Sequence, residues 1–242
     1  MAIRVHSYES LGTYDGPGIR LVVFLQGCPF RCLYCANPDT ISLEGGTPTE
    51  PEEIVERALR EKPFFGKKGG VTFSGGEPTV QAAGLIPAVR KLKENGINVC
   101  IDTNGGIWNK DVEELLSLSD LVLLDVKEFN PARHRKITGH DNTRTLGTAG
   151  WMEEHAKPFW LRYVLVPGLS DFEEDIRALG EHFKAYSMLQ RVELLPYHTL
   201  GKHKYETLGW EYRLEGTPLN TQEQLSKAKG ILEEYFSNVI LN

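Results

Sequence analysis

The chain has 242 residues and a mass of 27.2 kDa, with 40% hydrophobic residues, 25% charged residues and a net charge of −6. These values are typical of one or two soluble domains and exclude a disordered, collagenous or disulfide-stapled chain. The slight acidic excess provides no basic surface for nucleic acid, and no apolar stretch suits a membrane span or a signal peptide. We therefore expect a cytoplasmic protein that binds neither nucleic acid nor membranes.

Six apolar runs rich in β-branched residues predict six β-strands. They cover residues 19–27, 70–77, 97–105, 121–128, 159–168 and 192–198. Their hydrophobicity is nearly continuous rather than alternating, which is typical of parallel strands covered on both faces.

Helical patterns follow these runs. They cover residues 51–59, 80–94, 111–118, 143–155, 170–186 and 221–236. Thr49 before Pro51 is a predicted cap for the first helix, and Asn95-Gly96 is a predicted stop for the second. Six strand–helix units in succession indicate a parallel α/β fold.

The number of units distinguishes between barrel types. A closed barrel of eight units has about 250 residues, and this chain has sequence for six units. We predict a partial (β/α)6 TIM-like barrel that is laterally open, with residues 1–242 as a single domain. Residues 1–18 form an N-terminal arm that pairs with the first strand as a hairpin. A flat doubly wound sheet is the alternative.

Three of the four cysteines fall in one loop after the first predicted strand. Cys28, Cys32 and Cys35 have the spacing C-x3-C-x2-C, whereas Cys100 lies in a later predicted strand. Such a cluster indicates metal binding or catalysis, and soft thiolates select iron–sulfur centres, zinc or copper(I). A structural zinc site needs a fourth ligand, yet neither Cys nor His occurs in the thirty residues after Cys35. Three thiolates on a four-iron cluster leave one iron open to a bound molecule.

Polar residues interrupt the other apolar runs near their ends. Ser74-Gly75-Gly76-Glu77 closes the second run, where glycines allow a ligand to approach the backbone. Asp102, Asp125, Lys127, Arg162 and His198 lie in or at the end of later runs. Because active sites of β/α barrels gather at the carboxyl ends of the strands, these positions predict a shared polar ligand.

The cysteine loop and the double glycine resemble the radical S-adenosylmethionine (SAM) superfamily. In that superfamily, three cysteines hold a 4Fe–4S cluster, SAM binds the fourth iron, and one electron cleaves SAM to methionine and a 5'-deoxyadenosyl radical. The resemblance implies that Cys28, Cys32 and Cys35 hold the cluster. It also implies that Tyr34 packs near the adenine and that Gly76 belongs to the element that receives the amino group of SAM.

Six segments in chain order are similar, within that superfamily, to the family that activates pyruvate formate-lyase. They are residues 7–20 (S-x-E-S-x-G-T-x-D-G-P-G-I-R), 74–77 (S-G-G-E), 102–105 (D-T-N-G), 124–127 (L-D-V-K), 162–168 (R-Y-V-L-V-P-G) and 194–204 (L-L-P-Y-H-x-L-G-K-H-K). The resemblance implies a SAM site of Tyr34, Cys35, Ala36, Gly76, Asp125, Val126, Lys127 and His198. It further implies a monovalent cation beside the ligand carboxylate, held by Asp102, Thr103 and Asp125.

The resemblance also implies partners. Asp15 and Arg162 match positions that face the glycyl-radical loop of pyruvate formate-lyase, where one backbone glycine loses a hydrogen under anaerobic conditions. The implied electron donor is reduced flavodoxin or ferredoxin, and we expect a monomer. A laterally open barrel suits this task because it admits an extended loop that a closed, side-chain-filled barrel would exclude.

Some positions depart from this pattern or stay outside it. Ala36 stands where the family usually has His, so no ligand or proton role is assigned there. We interpret Cys100 as a packed thiol without a cluster role and His203 as a residue at the rim of the site. The basic groups at residues 67–68 and 133–136 are interpreted as solvated surface, or alternatively as a docking site for an acidic electron donor.

Three other functions remain open at this point. The first is an activating enzyme of another glycyl-radical enzyme, although many of these carry two further cysteine clusters that this chain lacks the cysteines to build. The second is an iron–sulfur electron carrier, which has no use for the S-G-G-E element. The third is a zinc-binding interaction module.

Overall fold

The computed structural model describes residues 2–242, which form β-strands and helices. They divide into two compact units. The first unit contains the residues up to Pro29 together with Thr40–Leu123, and the second contains Phe30–Asp39 together with Leu124–Asn242. The single-domain boundary expected from the sequence stays a prediction.

The first unit is built on a mixed sheet. Its strands are β1 (Ile3–Gly12), β2 (Arg20–Leu25), β3 (Thr47–Thr49), β4 (Gly70–Gly75), β5 (Asn98–Thr103) and the first part of β6 (Leu121–Asp125), with β3-β1-β2-β4-β5 as neighbours. β2, β4 and β5 are parallel, whereas β1 is antiparallel to both β2 and β3. The helices are α1 (Pro51–Glu61), α2 (Ala82–Glu94) and α3 (Lys110–Leu118). Leu21, Val22 and Val23 of β2 are all fully buried, so this strand is covered on both faces.

The second unit has a parallel sheet and five helices. Its strands are the end of β6, β7 (Phe159–Leu165), β8 (Leu189–Pro196) and β9 (Val239–Leu241), with β7-β8-β9 as neighbours. The helices are α4 (Pro131–Thr138), α5 (Thr143–Glu154), α6 (Glu173–Phe183), α7 (Lys202–Leu208) and α8 (Gln222–Glu233). No helix of residues 2–242 is both long and apolar enough to cross a membrane.

All six strands and all six helices predicted from the sequence are confirmed within a few residues, and so is the antiparallel pairing of the N-terminal arm with β2. The cap predicted at Thr49 was wrong. α1 has Glu50 as its N-cap, and the Glu50 backbone N–H donates to Glu53 Oε1 at 2.9 Å. The short strands β3 and β9 and the helices α4 and α7 were not predicted.

The two glycines at the end of β4 are required by close backbone packing. A Cβ atom at Gly75 would lie 2.2 Å from the backbone nitrogen of Leu25, and one at Gly76 would lie 2.3 Å from the carbonyl oxygen of Gly27. Both distances are far shorter than van der Waals contact. The S-G-G-E element therefore needs glycines to pack beside β2 and the residue that precedes Cys28.

Gly76→Ala tests this packing against a glycine that has room for a side chain. The new Cβ meets a backbone oxygen that has no rotamer to adopt, so we expect the free energy of unfolding to fall by about 1–3 kcal/mol. Gly147→Ala in α5 is the control, because a Cβ there meets nothing within 4 Å. It should raise the free energy of unfolding by about 0.5–1 kcal/mol, since alanine is the better helix former. Urea denaturation followed by circular dichroism measures both, and equal stability of Gly76→Ala and the parent chain would contradict the packing argument.

Candidate functional site

The residues just before the first cysteine are held by the backbone of the first unit. The Gly27 N–H donates to the carbonyl of Thr40 at 2.7 Å, and the Gly27 carbonyl accepts from the Glu77 N–H at 2.8 Å. The Cys28 N–H donates to the carbonyl of Ile41 at 3.1 Å. Cys28 is thus presented from the end of β2 directly beside the S-G-G-E element.

Residues at the end of β5, predicted to hold a cation, are engaged in hydrogen bonds. Asp102 Oδ2 accepts from the Ser74 hydroxyl at 2.6 Å, and the Thr103 hydroxyl donates to Glu77 Oε1 at 2.6 Å. The Gly105 N–H donates to the Thr103 hydroxyl oxygen at 3.0 Å. These bonds fix the side chains of Asp102 and Thr103, and the cation site itself stays a prediction.

Asp15 lies in a turn that is supported by a fully buried arginine. Arg20 Nη1 donates to the carbonyl of Pro17 at 2.9 Å, and Arg20 Nε donates to the hydroxyl of Thr72 at 2.5 Å. That hydroxyl donates in turn to the carbonyl of Asp15 at 2.6 Å. The half-buried Asp15 is therefore placed at the edge of a rigid D-G-P-G turn.

The loop with the other two cysteines lies in the second unit, where α4 holds its backbone. The Arg31 N–H donates to the carbonyl of Thr138 at 2.8 Å, and the Leu33 N–H donates to the carbonyl of Ile137 at 3.0 Å. The Cys35 N–H closes a turn on the carbonyl of Cys32 at 3.1 Å. Free carbonyls at the end of a helix thus serve as acceptors for the loop.

Three predicted SAM-site residues come together beside this loop. Lys127 Nζ donates to Asp125 Oδ2 at 2.6 Å and lies 6.0 Å from the centre of the Tyr34 ring. The side chains of Lys127 and Asp125 are only 15% and 17% exposed. Burial alone would lower the pKa of Lys127, but its neighbours Asp125, Tyr34 and Cys32 together outweigh burial and raise the pKa, so the lysine stays cationic. The site therefore presents one positive and one negative group in a sheltered place.

The Tyr34 ring belongs to an apolar cluster of the second unit, together with Leu33, Ile137, Val166, Tyr197, Tyr205, Tyr212 and Leu214. Burial raises the pKa of Tyr34 well above its usual value. The same surroundings act on the thiols, because burial raises the pKa of Cys32 to about 12 and also raises that of Cys35. In the metal-free chain these cysteines are protonated, so metal binding must displace their protons.

Helix α7 packs against the residues that follow Cys35. A Cβ at Gly201 would lie 2.7 Å from the Cα of Ala36, so the backbone before α7 touches that residue directly. Lys204 Nζ donates to Asn37 Oδ1 at 2.9 Å and to Asp39 Oδ1 at 3.1 Å. The L-G-K-H-K segment is therefore the outer support of the cysteine loop.

Arg162, predicted to face the partner, lies in β7 opposite Glu193 of β8. Its Nε lies 3.7 Å from Glu193 Oε2, and the two side chains are 13% and 3% exposed. The pKa of Glu193 is raised overall, because the effect of burial is larger than the opposing effect of the Arg162 charge. The Arg162 carbonyl accepts from the N–H of Val126 at 3.0 Å. The side chain of Val126 is fully buried.

Both candidate histidines of the last segment are exposed. His198 Nδ1 accepts from the N–H of Leu200 at 3.4 Å, and His203 lies in α7. His203 is exposed, and its position at the rim of the site stays a prediction. The role of His198 in the SAM site stays a prediction.

The chemistry of the donor set fits an iron–sulfur cluster. Cys28, Cys32 and Cys35 are partly exposed thiols without a disulfide, whereas Cys100 is fully buried. Among residues 2–242, no three His, Cys, Asp or Glu side chains are arranged to hold a single metal ion. Three thiolates with one iron left open are the ligand set of a 4Fe–4S cluster that binds a further molecule, and the assignment of these cysteines as its ligands stays a prediction.

Sequence reasoning missed several residues that build the site. Glu77 and Asn104 lie inside the quoted segments. The sequence shows only an acid and an amide that follow predicted strands, which does not indicate what their side chains bind. Lys204 was passed over for its neighbour His203. Glu128 directly follows Lys127; it accepts a hydrogen bond from the Tyr163 hydroxyl at 3.0 Å, and burial raises its pKa to about 7.

The basic group at residues 133–136 was interpreted as solvated surface, which is confirmed for the exposed Arg135 and Lys136 but was wrong for His134. It forms part of α4, and His134 is fully buried. His134 Nδ1 lies 2.6 Å from the carbonyl oxygen of His140. Arg133 forms ion pairs with Asp175 and Glu174 of α6.

Lys204→Met tests the support of the cysteine loop by α7. Loss of the ammonium leaves Asn37 and Asp39 without their shared donor, so the loop should hold iron less firmly. Removal of outer contacts at a metal site typically costs about 10–100-fold in affinity, and we expect iron to be lost to a chelator about tenfold faster. Lys202→Met is the matched control, because Lys202 pairs with the exposed Glu215 at 2.8 Å. Anaerobic absorbance decay measures both rates, and equal rates would refute the support role.

The family model of the radical SAM superfamily matches residues 22–180. Among solved structures, SuiB from Streptococcus suis bound to the precursor peptide SuiA is similar with a TM-score of 0.73 and 16% identity, and the likeness covers 93% of this chain and 49% of that one. The match and the likeness confirm the α/β, partial-barrel fold class predicted from the sequence.

Two relatives are similar over nearly their whole length. The pyruvate formate-lyase-activating enzyme of Streptococcus mutans is 45% identical, over 96% of this chain and 93% of the relative. The pyruvate formate-lyase 1-activating enzyme of Escherichia coli is 42% identical, over 98% of both chains. The chain belongs to the radical SAM superfamily and, within it, to the family of the pyruvate formate-lyase-activating enzymes.

Proposed function

We propose that this chain activates pyruvate formate-lyase under anaerobic conditions by generating a glycyl radical on it. As a radical SAM enzyme, it uses one 4Fe–4S cluster and SAM as a cosubstrate. When bound, the cluster supplies the electron that cleaves SAM to methionine and a 5'-deoxyadenosyl radical, which takes the glycine hydrogen. The protein's own task is to position these groups and to exclude water and other hydrogen donors.

Cys28, Cys32 and Cys35 are the proposed cluster ligands. Their spacing in one loop and the lack of a disulfide support this assignment. We propose that Cys100 stays outside the ligand set, because it is fully buried in β5, where its thiol lies 3.7 Å from Asn98 Oδ1. A three-ligand set leaves one iron for SAM.

Asp125 and Lys127 are proposed to bind the amino-acid end of SAM. That end carries an ammonium and a carboxylate, which are complementary to the two opposite charges held 2.6 Å apart in the second unit. Tyr34 is proposed to pack on the adenine. Cys35, Ala36, Gly76, Val126 and His198 complete the proposed SAM site, and Asp102, Thr103 and Asp125 are the proposed ligands of a monovalent cation.

Asp15 and Arg162 are proposed to contact the glycyl loop of pyruvate formate-lyase. The turn with Asp15 is rigid, so its carboxylate can bind without loss of backbone entropy. Reduced flavodoxin or ferredoxin is the proposed electron donor. We further propose that the chain acts as a monomer in the cytoplasm.

The observation that carries the proposal is the set of three free cysteines at C-x3-C-x2-C spacing in a chain of this family. The test is anaerobic incubation with a reductant, SAM and pyruvate formate-lyase, followed by electron paramagnetic resonance (EPR) of the glycyl radical. A glycyl signal on pyruvate formate-lyase supports the proposal. A signal only on another glycyl-radical enzyme identifies a different partner, and an iron–sulfur protein that never cleaves SAM is an electron carrier. Stoichiometric zinc in anaerobic protein contradicts the cluster.

Single cysteine replacements should separate ligands from the buried thiol. Cys28→Ala, Cys32→Ala and Cys35→Ala should each abolish assembly of the cluster, because each leaves a second of its four irons without a protein ligand. Cys100→Ala should retain about four irons and four sulfides per chain after anaerobic reconstitution. Iron and sulfide analysis measures this, and an equal loss of iron in Cys100→Ala would overturn the three-ligand assignment.

Replacement of Asp15 or Arg162 should separate partner recognition from SAM cleavage. We expect Asp15→Asn and Arg162→Lys to lower the rate of glycyl-radical formation at least about tenfold, equivalent to about 1.4 kcal/mol. Arg162→Lys keeps a cation facing Glu193, so the buried carboxylate stays neutralised. Cleavage of SAM without the partner should persist, as measured by release of 5'-deoxyadenosine.

Asp111→Asn is the control for charge, because Asp111 is an exposed residue in the first turn of α3. It should change neither activity. If Asp15→Asn or Arg162→Lys abolished cleavage of SAM as well, that residue would belong to the cofactor site and not to the partner surface.

A further inference from the structure

The loop that follows β5 is fixed by its own polar groups. Asn104 is buried, with only 6% exposure, and the Gly106 N–H donates to its Oδ1 at 2.8 Å. The Gly105 N–H donates to the Thr103 hydroxyl oxygen at 3.0 Å. These short-range bonds leave the loop little freedom to turn the Asn104 side chain.

The carboxylate of Glu77 anchors the same loop. Its Oε2 accepts from the Asn104 backbone N–H at 2.8 Å, and its Oε1 accepts from the Thr103 hydroxyl at 2.6 Å. Oε1 also accepts from the N–H and the hydroxyl of Thr79, at 3.1 and 2.7 Å. Glu77 is 1% exposed, so four hydrogen bonds take the place of solvent around this acid. The S-G-G-E element and the loop after β5 are thus joined through one buried side chain.

The contacts of the Asn104 amide define which end faces the cysteine. Its oxygen already accepts from Gly106, so the nitrogen is the atom that faces Cys28. Asn104 Nδ2 lies 3.9 Å from Cys28 Sγ. A neutral thiol at this distance is a weak acceptor, whereas a thiolate bound to iron is a stronger one because of its charge.

We propose that Asn104 donates a hydrogen bond to the Cys28 sulfur of the assembled cluster and thereby raises its reduction potential, with Glu77 as the residue that positions Asn104. The inference rests on the proposed function, because it needs the cluster. Hydrogen bonds to ligating sulfurs favour the reduced, more negative form of a cluster. The hydrogen bond from Asn104 therefore makes the cluster easier to reduce before SAM is cleaved.

The test is an EPR-monitored redox titration of the reconstituted cluster without SAM. Asn104→Asp keeps an oxygen for the Gly106 N–H but replaces the donor with a carboxylate oxygen, so the potential should shift to a more negative value. Asn104→Ala should shift it in the same direction by less, because it removes the donor without adding a charge. If Asn104→Asp does not hold its cluster, Asn104→Ala decides the question by the same measurement.

Asn109→Asp is the matched control. Asn109 Oδ1 caps α3 by accepting from the Val112 N–H at 2.9 Å, and aspartate caps equally well, so the variant makes the same change of charge in the same unit. Its potential should equal that of the parent chain. If the tested Asn104 variant has the same reduction potential as Asn109→Asp, the inference is overturned.

A double-mutant cycle tests the role of Glu77. Glu77→Gln changes the charge near the cluster, but the cycle isolates the coupling with Asn104 from that effect. If Glu77 positions the amide, the shift caused by Asn104→Ala should be smaller in the Glu77→Gln background. Equal shifts in both backgrounds would remove Glu77 from the proposal.

Failure of this inference is distinguishable from failure of the proposed function. A chain that assembles the cluster and cleaves SAM, but whose potential is insensitive to Asn104, refutes only the hydrogen bond to Cys28. A chain that assembles no 4Fe–4S cluster refutes both.

Discussion

The backbone hydrogen bonds of Gly27 are the constraint on which the rest of the first unit depends. Its N–H is bound to Thr40 and its carbonyl to Glu77, and its φ of 96° lies in the region that favours glycine. The same carbonyl excludes any side chain at Gly76. Because Glu77 then holds the loop of Asn104 through its carboxylate, the surroundings of Cys28 form one hydrogen-bonded network, and displacing any member would disturb the others.

The second unit supports its two cysteines by different physical means. Carbonyls at the end of α4 bind the backbone of the loop, and Lys204 of α7 binds the side chains that follow it. The ion pair of Asp125 and Lys127 lies next to the Tyr34 ring. Burial disfavours charge on the empty thiols and on the lysine alike. At Lys127 the neighbouring groups, Asp125 first among them, outweigh burial, whereas at Cys32 burial outweighs the opposing effect of Lys127. Binding of iron must therefore displace the protons of these thiols.

The sequence predicted those elements that are encoded by a local pattern of residues, and it missed those that depend on contacts with other parts of the chain. The apolar runs identified all six inner strands, because a strand covered on both faces must be apolar along its length. α4 was missed because Arg133, Arg135 and Lys136 look like solvated surface, whereas ion pairs with α6 and the burial of His134 stabilise that helix. The cap of α1 was misplaced by one residue because Glu50 and Thr49 are both acceptable to the local pattern, and the hydrogen bond with Glu53 decides between them.

The sequence by itself determined the fold class, the three-cysteine loop, the glycines of the S-G-G-E element and the family. Each of these follows from residue types at short spacings, which a single chain displays directly. Only the tertiary structure decided that Glu77 holds the loop after β5, that the amide of Asn104 faces Cys28 and that Lys204 binds the end of the cysteine loop. Those contacts join residues far apart in the chain. Whether two such groups form a hydrogen bond depends on differences in distance of a few tenths of an ångström, which no sequence pattern encodes.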